Sequence, residues 1–442
     1  MSRSTAEVSS VEQPPSPDQA TMRVALPPEL MARQCPFDPP RALAEEHGKA
    51  PVGQVKLATG DKIWLVTGLD EARAVLSDPR FSADRFNRRN ALVSVPEEMR
   101  EKLFDARARA GQLVAMDPPE HTRLRKLVIG QFTLRRMRAL IPRITEIVDA
   151  HLDAMAAAGT SADLVGAFAL PVPSLVICEL LGVPYETRTD FQRRTSTLIR
   201  MDTPLEEVLR VRDEMRQFMH ELVAAKRARP DDGLISGLIH GDHAGELTDD
   251  ELVGIANLLL AAGHETTANM IGLGVFALLE HPEQLELLRR DPEVAGRAVE
   301  ELLRYLSIVH LGPFRTATED VRVGGELIPA GGTVMISTPQ INRDPAHWDD
   351  PAALDLTRER NPHLSFGHGV HQCLGQQLAR AEMAVALPAL VRRFPHLRLD
   401  CRPEEVPLRD NMFVYGVHSL PVAWDAPEDA MVSRSRLTGP GP

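Results

Sequence analysis

The sequence predicts a mainly α-helical domain with small β-sheets, and three observations carry that reading. Apolar residues recur at helical spacing from about 118 to 309. Short alternating or β-branched runs lie near the two ends, at 55–57, 63–67, 321–328, 333–337 and 414–421. No low-complexity linker or internal repeat divides the chain between 23 and 426, which therefore reads as one domain. The flanking stretches 1–22, rich in Ser, Pro, Glu and Gln, and 427–442, ending SRSRLTGPGP, read as disordered tails.

The clearest helix begins at Thr248. Thr248 and Glu251 form a capping-box pattern, Leu247 and Leu252 can staple the entry, and Pro282 sets the end. About 31 residues at 1.5 Å each give roughly 46 Å, enough to cross a whole domain. Gly254, Gly263, Gly272 and Gly274 each cost about 1 kcal/mol against Ala in such a helix, so some serve close packing or a local opening. A second helix starts at Asp291-Pro292, cap then proline, and runs through Glu301 and Arg304. A third starts just after Cys373 and continues through LGQQLARAEMAVALPALVRRF.

With 442 residues, 43% apolar and 25% charged, the chain can bury a large core. Fifty basic against 62 acidic residues leave a net charge of −12, which argues against nucleic acid or an anionic membrane as general partners. The longest apolar runs, such as 258–262, fall far short of the roughly 20 residues that cross a bilayer. The N-terminus shows no apolar segment of the secretory kind, so a cytoplasmic location is expected. Cys35, Cys178, Cys373 and Cys401 form no C-x-x-C pair and suggest neither a disulfide framework nor a cysteine-rich zinc module.

Chemistry concentrates at 366–375. There Phe366, Gly369, Cys373 and Gly375 place glycines where backbone turns tightly or approaches something flat, and a thiol at a helix start. Unpaired amides and the helix dipole lower a thiol's pKa and suit a thiolate metal ligand. Zinc held by His368, His371 and Cys373 is the weaker alternative, because these ligands crowd one loop and nothing completes a tetrahedron. On the long helix, Thr266 can bond back to the carbonyl of Ala262, loosening the helix beside Gly263 and leaving a polar groove, while Glu265 can relay protons. His264-Glu265 is not a zinc-protease helix, since position 268 is Ala.

Four ordered motifs now resemble one family, the cytochrome P-450 haem-thiolate monooxygenases. F-x-x-G-x-x-x-C-x-G is matched at every fixed position by Phe366, Gly369, Cys373 and Gly375; Ala262 to Thr267 match the oxygen-activation motif; Glu301 and Arg304 match E-x-x-R; and His121 and Arg125 match a propionate-binding pair. The resemblance spans about 35 to 422 and is to the soluble bacterial type, within it to natural-product tailoring members. It implies haem b (iron protoporphyrin IX) ligated by Cys373, with His121, Arg125, Arg315 and His371 on the propionates and Glu265 and Thr266 as the catalytic acid–alcohol pair. It further implies a charge triad of Glu301, Arg304 and Arg358 bracing the loop before Cys373, although Leu354 replaces the aromatic residue often found near that arginine.

The implied reaction inserts one atom of O2 into a C–H bond or alkene of a small-molecule substrate, a polyketide or macrolide being the expected kind. Ala261, Ala262, Val309, Leu311 and Phe413 are the expected pocket residues, with the region 91–99 beside them. Between 121 and 138 lie six cationic residues (Arg123, Arg125, Lys126, Arg135, Arg136 and Arg138) and no acid, a patch suited to an acidic electron donor such as a ferredoxin. No G-x-G-x-x-G follows a strand, so electrons are expected from a ferredoxin and its reductase, with the enzyme itself a monomer. A peroxide-driven peroxygenase and a non-catalytic haem sensor are the alternatives, both disfavoured by an intact Glu265-Thr266 relay.

Overall fold

In the computed structural model, residues 23–24, 26–84, 93–94, 105–242, 244–359 and 361–425 are described. The expected tails and most of the 91–99 pocket region lie outside the described residues.

The long helix runs Asp249–Glu280, and its Thr248 cap is the full reciprocal capping box expected from the sequence. It is apolar nearly all round, so it is buried rather than amphipathic. Helices Pro171–Leu181, Leu205–Ala228 and Gln376–Arg393 pack against it, and Leu134–Ala158 packs behind Gln376–Arg393. The glycines of the long helix explain the close approach. A Cβ at Gly254 would sit 1.9 Å from the carbonyl oxygen of Ala110, and one at Gly263 would sit 2.7 Å from the Ile177 side chain. The helix is continuous α through Gly263 and Thr266, so the expected loosening there is not seen. The ladder tolerates the Thr266 back-bond without breaking.

Short strands form the expected small sheets. One five-stranded sheet has the spatial order Val52–Lys56, Lys62–Val66, Thr333–Ile336, Phe314–Ala317, Phe81–Ser82. Its Thr333–Ile336 and Lys62–Val66 pairing is parallel and the others are antiparallel. The 321–328 run folds as a hairpin of Val321–Val323 and Glu326–Ile328. The expected strand at 414–421 is corrected: only its last residue enters a strand, Pro421–Ala423, which pairs with Ser161–Asp163 and Arg398–Leu399. Val414 and Val417 instead make isolated bridges to Val309 and Leu408, because this segment lies over the long helix rather than in a sheet. The second expected helix is 3-10 over Pro292–Val294 and α over Ala295–Leu306. The third begins at Gln376, three residues after Cys373.

Candidate functional site

The helix Gln376–Arg393 presents its N-terminus to Cys373, and the N–H groups of Gly375 and Gln376 point at its sulfur. The thiol keeps accessible surface because it opens on a cavity of about 390 Å3. Its acidity departs from the sequence expectation. Burial pushes the pKa up, and the two amides with Arg125 and Arg380 offset only part of that rise. A coordinated metal ion would hold the sulfur as thiolate regardless.

The loop before Cys373 is held from several sides. Cys373 N–H donates to the Phe366 carbonyl at 2.9 Å, and Gly369 has a φ of +72° with its missing Cβ only 2.4 Å from the Leu76 carbonyl oxygen. The backbone there admits glycine alone without movement. Asn342 binds the Ser365 hydroxyl at 2.9 Å and accepts the Leu364 N–H at 2.8 Å, while Ser365 donates to the Leu303 carbonyl at 2.6 Å.

Glu301 and Arg304 are fully buried and paired at 2.7 and 2.8 Å. Arg358 Nε lies 3.3 Å from Glu301 Oε2, so the structure brings the three expected charges together despite Leu354. Arg304 also donates to the carbonyls of Asn342, Pro351 and Ala353, which fixes the chain leading into the Cys373 loop.

His121, Arg125, Arg315 and His371 line the same cavity as Cys373. The His121 and His371 rings lie 4.2 Å apart, and neither nitrogen of the buried His121 has a partner. Arg315 is 6% exposed and donates only to a neighbouring carbonyl, and its burial pushes the guanidinium pKa down to about 10. Burial, followed by Arg315, His121 and Arg125, pushes His371 down to about 3. Arg125 donates to the Gln372 carbonyl at 2.6 Å. Two desolvated guanidiniums beside two buried imidazoles are costly unless an anion completes the cluster. Gly367 and Gly375 also line the cavity, and a Cβ on either would meet no protein atom within 4 Å. Free space beside glycine, a sulfur ligand and two desolvated guanidiniums without a carboxylate partner at hydrogen-bond distance together fit an iron porphyrin with its two propionates. Among the described residues, no group of three or more His, Cys, Asp or Glu side chains is placed to hold a metal ion, and the zinc alternative gains no support.

On the long helix, Thr266 faces the cavity and donates to the Ala262 carbonyl at 2.9 Å, the back-bond expected from the sequence. Glu265, one residue earlier, is buried and turned away. Its Oε2 lies 3.0 Å from Arg409 Nη1 and accepts from Asn269 at 3.3 Å. Arg409 and Asn269 were missed by sequence reasoning. Asn269 at four residues from Glu265 was available as a helix-neighbour signal, whereas Arg409 belongs to no motif and arrives only through tertiary folding.

Of the expected pocket residues, Ala262 and Val309 line the cavity together with Leu113, Val114, Leu258 and Leu259, which the sequence did not single out. Ala261, Leu311 and Phe413 do not line it and are corrected. Leu311 and Phe413 belong to a separate apolar cluster with Leu26, Leu30 and Met201. Ala261 is turned about 100° from Ala262 on the helix. In the cationic stretch, Arg123 pairs with Glu120 and Glu251, and Lys126, Arg135, Arg136 and Arg138 are exposed. No helix among the described residues is long and apolar enough to cross a membrane.

Comparison with known proteins gives a consistent result. A family model described as Cytochrome P450 matches residues 193–421. Cytochrome P450 105C1 of a Streptomyces species is 50% identical over 88% of this chain and 96% of its own. Pentalenic acid synthase of Streptomyces avermitilis is 46% identical over 89% of this chain and 96% of its own. The crystal structure of Rif16 in complex with R-L is 56% identical, covers 90% of this chain and 100% of its own, and superposes with a TM-score of 0.80.

Proposed function

The chain belongs to the cytochrome P450 family, and on that footing we propose that it oxidises a mid-sized to large apolar natural product of the polyketide or macrolide kind, by hydroxylation or epoxidation. As a family member it is a haem-dependent monooxygenase that uses O2, redox partners and a small-molecule substrate. The proposal adds a ferredoxin and its reductase as electron donors and a monomeric, cytoplasmic enzyme with one haem domain over 23–426. The observation that carries the site assignment is that Cys373, the two arginines and two histidines, and Thr266 line one largely apolar cavity.

Haem b, when bound, supplies oxygen activation at iron under the electron push of a thiolate. The residues supply the rest. Cys373 holds the metal, with the Gly375 and Gln376 amides limiting charge on its sulfur. Arg125, Arg315, His121 and His371 would bind the propionates, which would neutralise the two guanidiniums and give the unpartnered His121 nitrogens a partner. Leu113, Val114, Leu258, Leu259 and Val309 exclude water and orient an apolar substrate. Thr266 would hold a proton at its hydroxyl in the cavity, and Glu265, once its carboxylate leaves Arg409 and takes a proton from water, would pass that proton on to Thr266. The substrate class is supported by the apolar wall and by the likeness, at 43% identity, to CYP105P1, whose crystal structure was solved in complex with filipin I, a macrolide.

A panel of macrolides, polyketides and terpenoids, screened for displacement of iron-bound water as a spin-state change and then for oxidised product with ferredoxin, reductase and O2, tests this reading. Spin-state change and product with members of the first two groups are expected. Turnover confined to compounds outside them, or equally fast with hydrogen peroxide in place of the ferredoxin system, would overturn it.

A further inference from the structure

Glu300 immediately precedes Glu301, and adjacent helical residues point about 100° apart, so the two carboxylates serve different partners. Glu301 turns toward Arg304 and Arg358. Glu300 turns toward the helix Gln376–Arg393 and meets Arg380 in a two-point pair, with Nε to Oε1 at 2.6 Å and Nη2 to Oε2 at 3.1 Å. The nearly buried His363 lies 3.1 Å from the same Oε2 through Nε2. Its Nδ1 accepts the Ser365 N–H at 3.2 Å, which leaves Nε2 as the protonated nitrogen donating to Glu300. Burial pushes the Glu300 carboxyl up, but hydrogen bonds from His363 and Arg380 outweigh it and hold the pKa at about 2.

The guanidinium of Arg380 then reaches both ends of the loop that carries Cys373. At the leading end its carbon stands 4.4 Å from the centroid of the Phe366 ring, the residue whose carbonyl receives the Cys373 N–H. At the trailing end Nη1 donates to Gln376 Oε1 at 2.9 Å, and Gln376 contributes one of the amides aimed at the sulfur. One planar cation thus spans the loop and is itself fixed by a carboxylate on a third element. A point charge such as lysine cannot reproduce stacking, pairing and a third hydrogen bond together.

We propose that Arg380 is a positioning residue for the metal ligand: anchored by Glu300 and His363, it clamps Phe366 to Gln376 and so fixes where the Cys373 sulfur stands. The proposal rests on Cys373 as the iron ligand. It is distinct from the Glu301–Arg304–Arg358 triad, which braces the chain farther upstream.

Arg380→Gln, Arg380→Lys and Glu300→Gln, together with the double variant Glu300→Gln/Arg380→Gln, test it on the haem-loaded protein. The readout is the rate at which the reduced CO complex passes from its long-wavelength to its short-wavelength Soret band, per bound haem, at one pH and well below the unfolding temperature. Both Gln singles are expected to convert about fivefold faster than the parent, the double variant no faster than the singles, and Lys to restore less than half of the loss. Glu300→Gln keeps the shape of its side chain and carries the test if Arg380→Gln folds poorly. A purely structural contribution would lower the unfolding temperature and leave the band conversion within twofold of the parent, which would overturn the proposal, as would full rescue by Lys or single effects that multiply in the double variant. A parent protein with no long-wavelength band would instead reject the thiolate assignment.

Discussion

Replacing Arg304 by Met removes a buried cation while keeping a side chain of similar length. Arg304 is fully buried and donates five hydrogen bonds, at 2.8 and 2.7 Å to Glu301 and at 3.1, 2.8 and 2.9 Å to the carbonyls of Asn342, Pro351 and Ala353. After substitution the Pro351 carbonyl still accepts from Arg343 at 3.0 Å, and Glu301 keeps Arg358, Asn361 and the Asp355 N–H. The carbonyls of Asn342 and Ala353 lose the bond they share with Arg304, at about 1 kcal/mol or more each. Breaking one side of a buried pair costs about 3–5 kcal/mol, and the remaining Arg358 contact places Glu301 at the lower end. The sum is about 5 kcal/mol, comparable with the whole stability of many domains. Denaturant titration followed by circular dichroism, with haem content per chain, should show a loss of this size and little retained haem. Arg304→Lys should not rescue it, because a single ammonium cannot reach three carbonyls and a carboxylate. A loss below about 1.5 kcal/mol with full haem content would refute the reasoning.

Thr266→Ala is expected to keep haem but divert reducing equivalents to hydrogen peroxide, measured as product and peroxide per electron; an unchanged product yield would deny Thr266 its role. Gly369→Ala forces a Cβ to within 2.4 Å of the Leu76 carbonyl oxygen at a φ of +72°, so haem should transfer to a haem-free acceptor at least tenfold faster, and an unchanged rate would contradict the packing argument. Glu382 is fully buried with neither carboxylate oxygen partnered, and burial pushes its pKa well up. The folded protein therefore keeps its proton where the unfolded chain loses it, and stability falls as pH rises above the ordinary carboxyl range. Glu382→Met should gain stability relative to the parent at neutral pH, with the gain shrinking as pH falls toward 4.5; a gap that does not change with pH would count against it.

Local signals and tertiary ones separate cleanly across this chain. The Thr248 cap, the back-bond from Thr266 to Ala262 and the glycine-dependent turn before Cys373 are decided within a few residues, and each was readable from spacing alone. The triad was readable only through likeness to a family, since Glu301 and Arg304 by themselves resemble an ordinary helix pair. Arg409 reaches Glu265 across 144 positions, and Arg380 reaches Glu300 across 80, with no pattern linking either pair. Leu311 and Phe413 show the converse error: apolar residues near the site by sequence were drawn into another cluster by packing. At 414–421 the alternating apolar pattern signalled burial correctly at Tyr415, Val417 and Leu420, but against the rest of the fold rather than in a sheet. The raised Cys373 thiol pKa had the same origin, because sequence displays the helix start but not the desolvation around it.

The reduced CO spectrum of the purified haem-loaded protein tests most directly whether the Cys373 sulfur is bonded to haem iron. Thiolate ligation by Cys373 gives a long-wavelength Soret band in the parent, and the band disappears in Cys373→His with haem still bound. A parent without that band, or a histidine variant that retains it, would rule out Cys373 as the iron ligand.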